Sequence, residues 1–229
     1  MTVAITSTQA ATLLGGGEVP PGALARALAR APRLVAVDAG GDAALAAGLI
    51  PEQVIGDLDS LSAEGRARLA DRLWHVPDQD DTDFDKALDR VQAPWLLALG
   101  FTGGRLDHTL AAMSALARRP ATRAVIWGPE DLCFLAPPRL ALDLPAGSRL
   151  SLWPLGPVGV ASRGLIWPTG GLQFAPAGLI GTSNAVAEGP VLIEPEAPAV
   201  LCLTPVAALD AVLAALSAAP AWPAPARAR

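Results

Sequence analysis

From the N-terminus to about residue 135, short runs rich in valine, isoleucine and leucine alternate with longer alanine-rich segments. Strands that are apolar along their whole length are buried on both faces, so helices must cover them, and the alternation predicts βα units around a parallel sheet. The expected strands are "TVAIT", "RLVAVD", "EQVIG", "LWHVP", "PWLLALG", "RAVIWG" and "LCFLA". Helices are expected at "GALARALAR", "DAALAAGL", "AEGRARLADRL", "DFDKALDRV" and "LDHTLAAMSALARR", the last three with apolar residues three and four apart.

Near "APPRLALDLPAG" the rhythm changes, and proline and glycine punctuate short runs about every 8 to 12 residues, as in an all-β domain. Strands are expected at "RLALDL", "SRLSLWPL", "GLIWP", "NAVAEG", "PVLIEP" and "AVLCLT". Helical spacing resumes in "PVAALDAVLAALSAA", and the proline-rich "PAWPAPARAR" is expected to be disordered. The division is therefore an α/β domain over residues 1–136, an all-β domain over 137–205, and a helix with its tail over 206–229.

The 229 residues are enough for a substantial core. Apolar residues make up 52% of the chain, yet no apolar stretch reaches the roughly 18 residues of a membrane span. No basic segment precedes the first apolar residues, so no signal peptide is expected and the expected location is cytoplasmic. A net charge of -5 argues against nucleic-acid binding and for small ligands. Cys133 and Cys202 sit in apolar runs without metal-ligand spacing and read as buried thiols. Lys86 is the only lysine, and it lies inside the most acidic segment.

Four acidic or glycine-rich stations fall where a strand ends, which is where open α/β sheets bind ligands. In "VDAGGDAAL", Asp38 ends a strand and Gly40 and Gly41 allow close backbone approach. In "VIGDLDSL", Asp57 and Asp59 are two residues apart, and an extended chain points both side chains the same way. In "DQDDTDFDKAL", Thr82 and Asp85 have the spacing of a capping box, with Asp78, Asp80, Asp81, Asp83 and Lys86 around them. In "LALGFTGGRLDHTLAAM", a glycine loop leads to Arg105, Asp107 and His108 at a helix start, which suits an anion and the metal it carries. Mg²⁺ takes carboxylates together with nucleotide phosphates, so Asp57 and Asp59 are expected to face magnesium, with Asp83 or Asp107 completing or supporting its shell.

"LLGGGEVP" lacks the lysine and hydroxyl of a P-loop, so ATP would be held in another way. "DLDS" is also similar to the nucleophile motif of haloacid dehalogenase-type phosphatases, but no lysine follows Lys86. A non-catalytic module that binds a nucleotide or a related small ligand is the other alternative.

Taken in order, "GDLDSL", "DDTDFDKAL", "GGRLDHTLA", "GLIWP" and "GTSNAV" resemble the signatures of the thiamine pyrophosphokinase (thiamine diphosphokinase) family over residues 30 to 195. The resemblance implies a Rossmann-like α/β domain followed by a β-sandwich that binds thiamine and dimerises. It implies a homodimer with shared active sites and Mg²⁺-dependent transfer of diphosphate from ATP to the thiamine hydroxyl, giving AMP. Asp57, Asp59, Arg105 and Asp107 then take catalytic roles, with Asp57, Asp59 and Asp83 at the metal. Asp38, Gly40, Asp80, Thr82, Asp83, Lys86, Arg105 and His108 fall on the ATP side. Asp107, Trp167, Ser183 and Asn184 fall on the thiamine side, where Trp167 suits a flat cation; Trp74, Trp95, Trp127, Trp153 and Trp222 are expected in the core. Ala39 departs from the family's usual pair of glycines after the aspartate, and the C-terminal helix is an addition.

Overall fold

The computed structural model describes residues 2–224. The chain is mixed α/β and divides into two compact units, one of Met1–Ala115 with Ile126–Pro129 and one of Leu116–Val125 with Glu130–Arg229. Among the described residues no helix is long and apolar enough to cross a membrane.

The first unit contains β1 (Ile5–Thr6), β2 (Ala11–Leu14), α1 (Ala23–Leu28), β3 (Arg33–Val37), α2 (Gly40–Ala46), β4 (Gln53–Gly56), α3 (Ala63–Arg68), β5 (Leu73–His75), α4 (Asp83–Arg90), β6 (Val91–Gln92) and β7 (Leu96–Leu99). Helix α5 (Leu106–Arg118) and strand β8 (Ala124–Trp127) carry the unit boundary. Parallel pairing gives the order β7-β2-β3-β4-β5, and β1 pairs with β6 separately. The expected single strand at "TVAIT" is thus a short edge piece, and the central strand is the unforeseen Ala11–Leu14, buried throughout. The chain runs outward from β2 through β3, β4 and β5, then returns to β7 on the other side of β2, so the order reverses between β2 and β7. Ligand clefts of open α/β sheets form beyond the carboxyl ends of the strands at such a point.

Local chemistry places the helix starts. Thr82 caps α4: its hydroxyl accepts from the Asp85 N–H at 3.3 Å and donates to Asp85 Oδ2 at 2.6 Å, and Oδ2 also accepts from the Thr82 N–H at 3.3 Å. This is the capping box expected from sequence. Thr82→Ala should lower stability by about 1 kcal/mol, read as a fall of about 2 to 4 °C in a thermal melt. An unchanged melt would mean that water replaces the cap. Ser62 caps α3 by accepting from the Gly65 N–H, and Asp42 accepts from both the Ser62 hydroxyl and its N–H.

The second unit is antiparallel, with β9 (Asp131–Leu135), β10 (Leu140–Leu142), β11 (Ser151–Pro154), β12 (Val158–Arg163), β13 (Gln173–Phe174), β14 (Val191–Pro195), β15 (Val200–Pro205) and α6 (Leu209–Ala218). Strands pair in the orders β11-β15-β9 and β10-β14-β12-β13. "GLIWP" and "NAVAEG", expected as strands, contribute isolated bridges at Leu165 to Val186 and Arg149 to Ala185, while "VGVASR" forms the unforeseen β12. Cys133 pairs with Leu203, and Cys202 with Phe134. Residues directly opposite share a face and neighbours alternate, so the two thiols point to opposite sides of the sheet and cannot bridge. Both are free and buried, and burial pushes the Cys133 thiol up to about 12.

Helix α6 buries Leu209, Val212, Leu213, Ala215 and Leu216 and lies against β10. Beyond it, Arg123 donates to the Ala219 carbonyl at 2.7 Å and the Trp222 indole to the Ala136 carbonyl at 2.8 Å. The start of the expected disordered tail is therefore anchored, and residues 225–229 lie outside the described residues. Of the tryptophans expected in the core, Trp127 is buried but Trp153 is 38% exposed.

Candidate active site

A cleft of about 720 Å³ lies in the first unit, walled by the loops after β2, β3, β4 and β7, the segment before α4 and the start of α5. Glycines close its floor. A Cβ on Gly15 would stand 2.6 Å from the Gly100 carbonyl oxygen, and one on Gly17 would stand 2.7 Å from it. The two loops touch backbone to backbone, which only glycine permits. Gly40 has a similar task away from the cleft wall, since a side chain there would strike the Leu14 carbonyl oxygen where α2 meets β2.

The Asp57–Asp59 pair sits on a turn rather than an extended segment. Leu58 is left-handed, with φ of 66°, and its side chain is buried with Ala36, Val54, Leu61 and Leu69. That conformation costs a non-glycine residue about 1 kcal/mol or more, which burial of the leucine side chain offsets. Arg66 donates to the Leu58 carbonyl and holds the turn from outside. Asp38 is also left-handed, at φ of 47°, and its Oδ1 accepts the Ser60 N–H at 3.3 Å.

Asp38, Asp57 and Asp59 each bring an oxygen within 4.8 Å of the other two. Octahedral magnesium with oxygens at about 2.1 Å sets opposite ligands about 4 Å apart, so this all-carboxylate set fits the ion after a small closing movement. Burial pushes the Asp38 carboxyl above its usual range against hydrogen bonds from Ser60 and Ala39. A neighbouring cation would relieve that cost.

The segment before α4 supports the turn. Asp83 Oδ1 accepts the Asp57 N–H at 3.0 Å and the Lys86 ammonium at 2.9 Å, and Lys86 also donates to Asp57 Oδ2 at 3.1 Å. Gln79 reaches the same Asp57 oxygen at 3.3 Å. Burial acts to raise the Asp57 carboxyl, but the Asp59 N–H and Lys86 outweigh it and hold Asp57 below the usual range. Gly56 leaves the space for this contact, because a Cβ there would lie 3.1 Å from Asp83 Oδ1 and 3.2 Å from the Asp38 Cβ.

Asp80, Thr82 and His108 line the cleft. Arg105 lines it too and grips Asp107 through two bonds, Nε to Oδ1 at 3.1 Å and Nη2 to Oδ2 at 2.5 Å, with both side chains exposed. That grip holds the Asp107 carboxyl below its ordinary value. In the second unit Trp167 is 61% exposed, and Asn184 is buried beneath its backbone. The Asn184 amide donates to the Trp167 carbonyl at 2.8 Å and accepts the Trp167 N–H at 3.2 Å, so it holds the loop that presents the indole. Ser183 is left-handed, and its N–H donates to Ser151 Oγ at 3.0 Å.

Sequence reasoning missed residues 15–17, Ser60 and Gln79 on the cleft wall, and it gave Asp38 to the nucleotide rather than to the carboxylate cluster. The triple glycine after a strand was the available signal; nothing local marks Gln79.

Fold and cleft together define an α/β protein that presents an acidic, glycine-floored site at the carboxyl edge of a parallel sheet. Residues 24–127 match the family described as thiamin pyrophosphokinase, catalytic domain. The chain is 36% identical over 99 residues to thiamine pyrophosphokinase of Bacillus subtilis (strain 168), covering 40% of this chain and 46% of that protein. It is 32% identical over 77 residues to thiamin pyrophosphokinase 1 of Caenorhabditis elegans, covering 30% and 31%. These sequence matches thus span less than half the length of each curated relative. The crystal structure of thiamine pyrophosphokinase from Bacillus subtilis superposes with a TM-score of 0.68 at 20% identity, over 86% of this chain and 99% of that one, which shows a shared fold. Over residues 24–127 the chain is thus similar to thiamin pyrophosphokinase catalytic domains, and it shares the fold of a solved thiamine pyrophosphokinase.

Proposed function

We propose that the protein is a thiamine diphosphokinase, which transfers diphosphate from ATP to the thiamine hydroxyl and releases AMP. The observation that carries this reading is the convergence of Asp38, Asp57 and Asp59 on the wall of a glycine-floored cleft, inside the stretch matched by the catalytic domain. The cleft's volume of about 720 Å³ lies within the range of small-molecule sites. The binding-module and phosphatase alternatives are not favoured by the relatives.

Asp38, Asp57 and Asp59 would hold Mg²⁺, which when bound supplies positive charge against the phosphate oxygens. In the reaction the thiamine oxygen bonds to the β-phosphorus, the bond from that phosphorus to the α,β-bridging oxygen breaks, and AMP leaves with the electron pair. Asp59 or Asp107 accepts the hydroxyl proton. Arg105 opposes the charge that develops on the phosphoryl oxygens, and Asp80, Thr82, Asp83 and His108 surround the nucleotide. Trp167 stacks on the thiamine ring, with Ser183 and Asn184 beside it.

In this reading residues 1–136 make up a Rossmann-like nucleotide-binding domain. Residues 137–205 form the thiamine-binding and dimerising β-sandwich, and residues 206–229 an added helix and tail. The expected location is cytoplasmic and the expected assembly a homodimer. The reading is tested by incubating the protein with Mg-ATP and thiamine and separating the products by chromatography. AMP and thiamine diphosphate in equal amounts support it; ADP with thiamine monophosphate, or no thiamine product, overturns it.

Trp167→Ala should raise the thiamine KM about tenfold, the scale of one cation–π contact, while leaving the ATP KM within about twofold. Mixed with Asp59→Asn and assayed at thiamine well below the wild-type KM, where neither variant alone exceeds about a tenth of the wild-type rate, subunit exchange should restore about a quarter of that rate, the share of sites that random pairing in a two-fold dimer leaves intact. No recovery despite confirmed exchange would mean that each chain owns its site.

A further inference from the structure

Lys86 is the chain's only lysine, and it is 2% exposed. From sequence it belongs among the groups that hold ATP, because a lysine in an acidic, ligand-facing segment suits phosphate. The geometry points elsewhere. Its ammonium lies behind the cleft wall, 2.9 Å from Asp83 Oδ1 and 3.1 Å from Asp57 Oδ2. Both carboxylates line the cleft, so the lysine stands on their far side from any ligand there.

The contacts form a two-point clamp. Asp83 Oδ1 holds Asp57 by its backbone N–H at 3.0 Å, and Lys86 holds Asp57 by its carboxylate. Asp83 and Lys86 are three residues apart on the first turn of α4, on one helix face, and the Thr82–Asp85 capping box fixes that turn. A rigid helix end therefore sets the position of a carboxylate carried on a strained turn.

We infer that Lys86 is a positioning residue: a buried internal cation that holds Asp57 in place for the metal and does not touch the nucleotide. This rests on the magnesium site of the proposed function. A compact, fixed cation between two acids keeps both carboxylates together at the wall before any metal arrives. It also keeps a divalent ion out of the space between Asp57 and Asp83 and leaves it the Asp38, Asp57 and Asp59 oxygens. Without the lysine, a divalent ion gains that second position and binds more tightly, but with Asp57 turned toward it.

The test is Lys86→Met, which keeps the length and removes the charge. Its readouts are Mn²⁺ binding to the nucleotide-free protein by electron paramagnetic resonance, and ATP binding in EDTA by calorimetry. The expected result is Mn²⁺ affinity tightened about tenfold with ATP affinity within about threefold of wild type, because a like charge is removed beside the metal and no phosphate contact is lost. Turnover should fall about 30-fold or more through kcat rather than the ATP KM, as expected for loss of geometry. Mn²⁺ affinity that is unchanged or weaker, or ATP affinity weakened about tenfold as expected for a lost charged contact, would overturn the inference. Should Lys86→Met not fold, Lys86→Gln also removes the charge while offering an amide N–H toward the two carboxylates, and the same split between Mn²⁺ and ATP decides. Neither binding readout needs turnover. A wild type that makes no thiamine diphosphate would count against the proposed function and leave the role of Lys86 still decided.

Discussion

Asp59→Asn should lower turnover about 100-fold or more while leaving the thermal melt within about 2 °C of wild type, and Asp57→Asn should lower turnover as much but melt earlier. Both substitutions remove a negative charge with almost no change in shape, so lost activity reports lost charge. The difference in stability follows from what lies behind each acid. Asp59 is exposed, and its carboxylate accepts only the Ser60 hydroxyl, at 2.9 Å, among the bonds described. Asp57 is half of the contact with buried Lys86, and neutralising it leaves that ammonium to Asp83 alone. Removing one partner of a buried pair is far costlier than removing a surface charge. Steady-state kinetics with a melt on each variant checks both statements. Normal turnover in either would remove that carboxylate from the metal site.

The same pair shows how much of the site was legible in the sequence. That the Asp57 and Asp59 carboxylates lie close together followed from their spacing at a strand end. How they come together did not: Leu58 is left-handed because its side chain is drawn into a cluster with Ala36 and Leu69, a tertiary cause that no local pattern encodes. Asp38 joins them because β3 and β4 are neighbours, with Val37 paired to Ile55, and strand adjacency is again not local. The capping box was readable because every atom in it lies within four consecutive residues. The glycines at 15–17 failed the P-loop pattern and lost their weight, yet their role depends on Gly100, far along the chain. Strand β12 was hidden by Gly159 and by a polar end at Ser162 and Arg163, where alternation breaks down. Lys86 stood out by composition, but composition carries no burial, and its place behind two carboxylates was not legible.

Arg105→Ala should cost about 1,000-fold in turnover, the scale on which arginines that stabilise transferring phosphoryl groups act. It should also move the acid limb of the pH–rate profile to higher pH. The sign follows from the grip of Arg105 on Asp107, which favours the carboxylate over the carboxylic acid and holds Asp107 below its ordinary value. A depressed group keeps its charge as pH falls until the lowered value is reached. With the arginine gone, Asp107 takes up its proton at higher pH, and activity that needs the carboxylate is lost sooner on acidification. Arg105→Lys separates the two effects, because it keeps a positive charge but loses the paired N–H fork, so its turnover should fall between those of wild type and Arg105→Ala. Both side chains are exposed, and exposed ion pairs contribute little to stability, so none of these variants should melt differently from wild type. If Arg105→Ala keeps normal turnover and an unmoved acid limb, the pair is an ordinary surface contact, and the charge on the phosphoryl group must be met by other residues of the cleft.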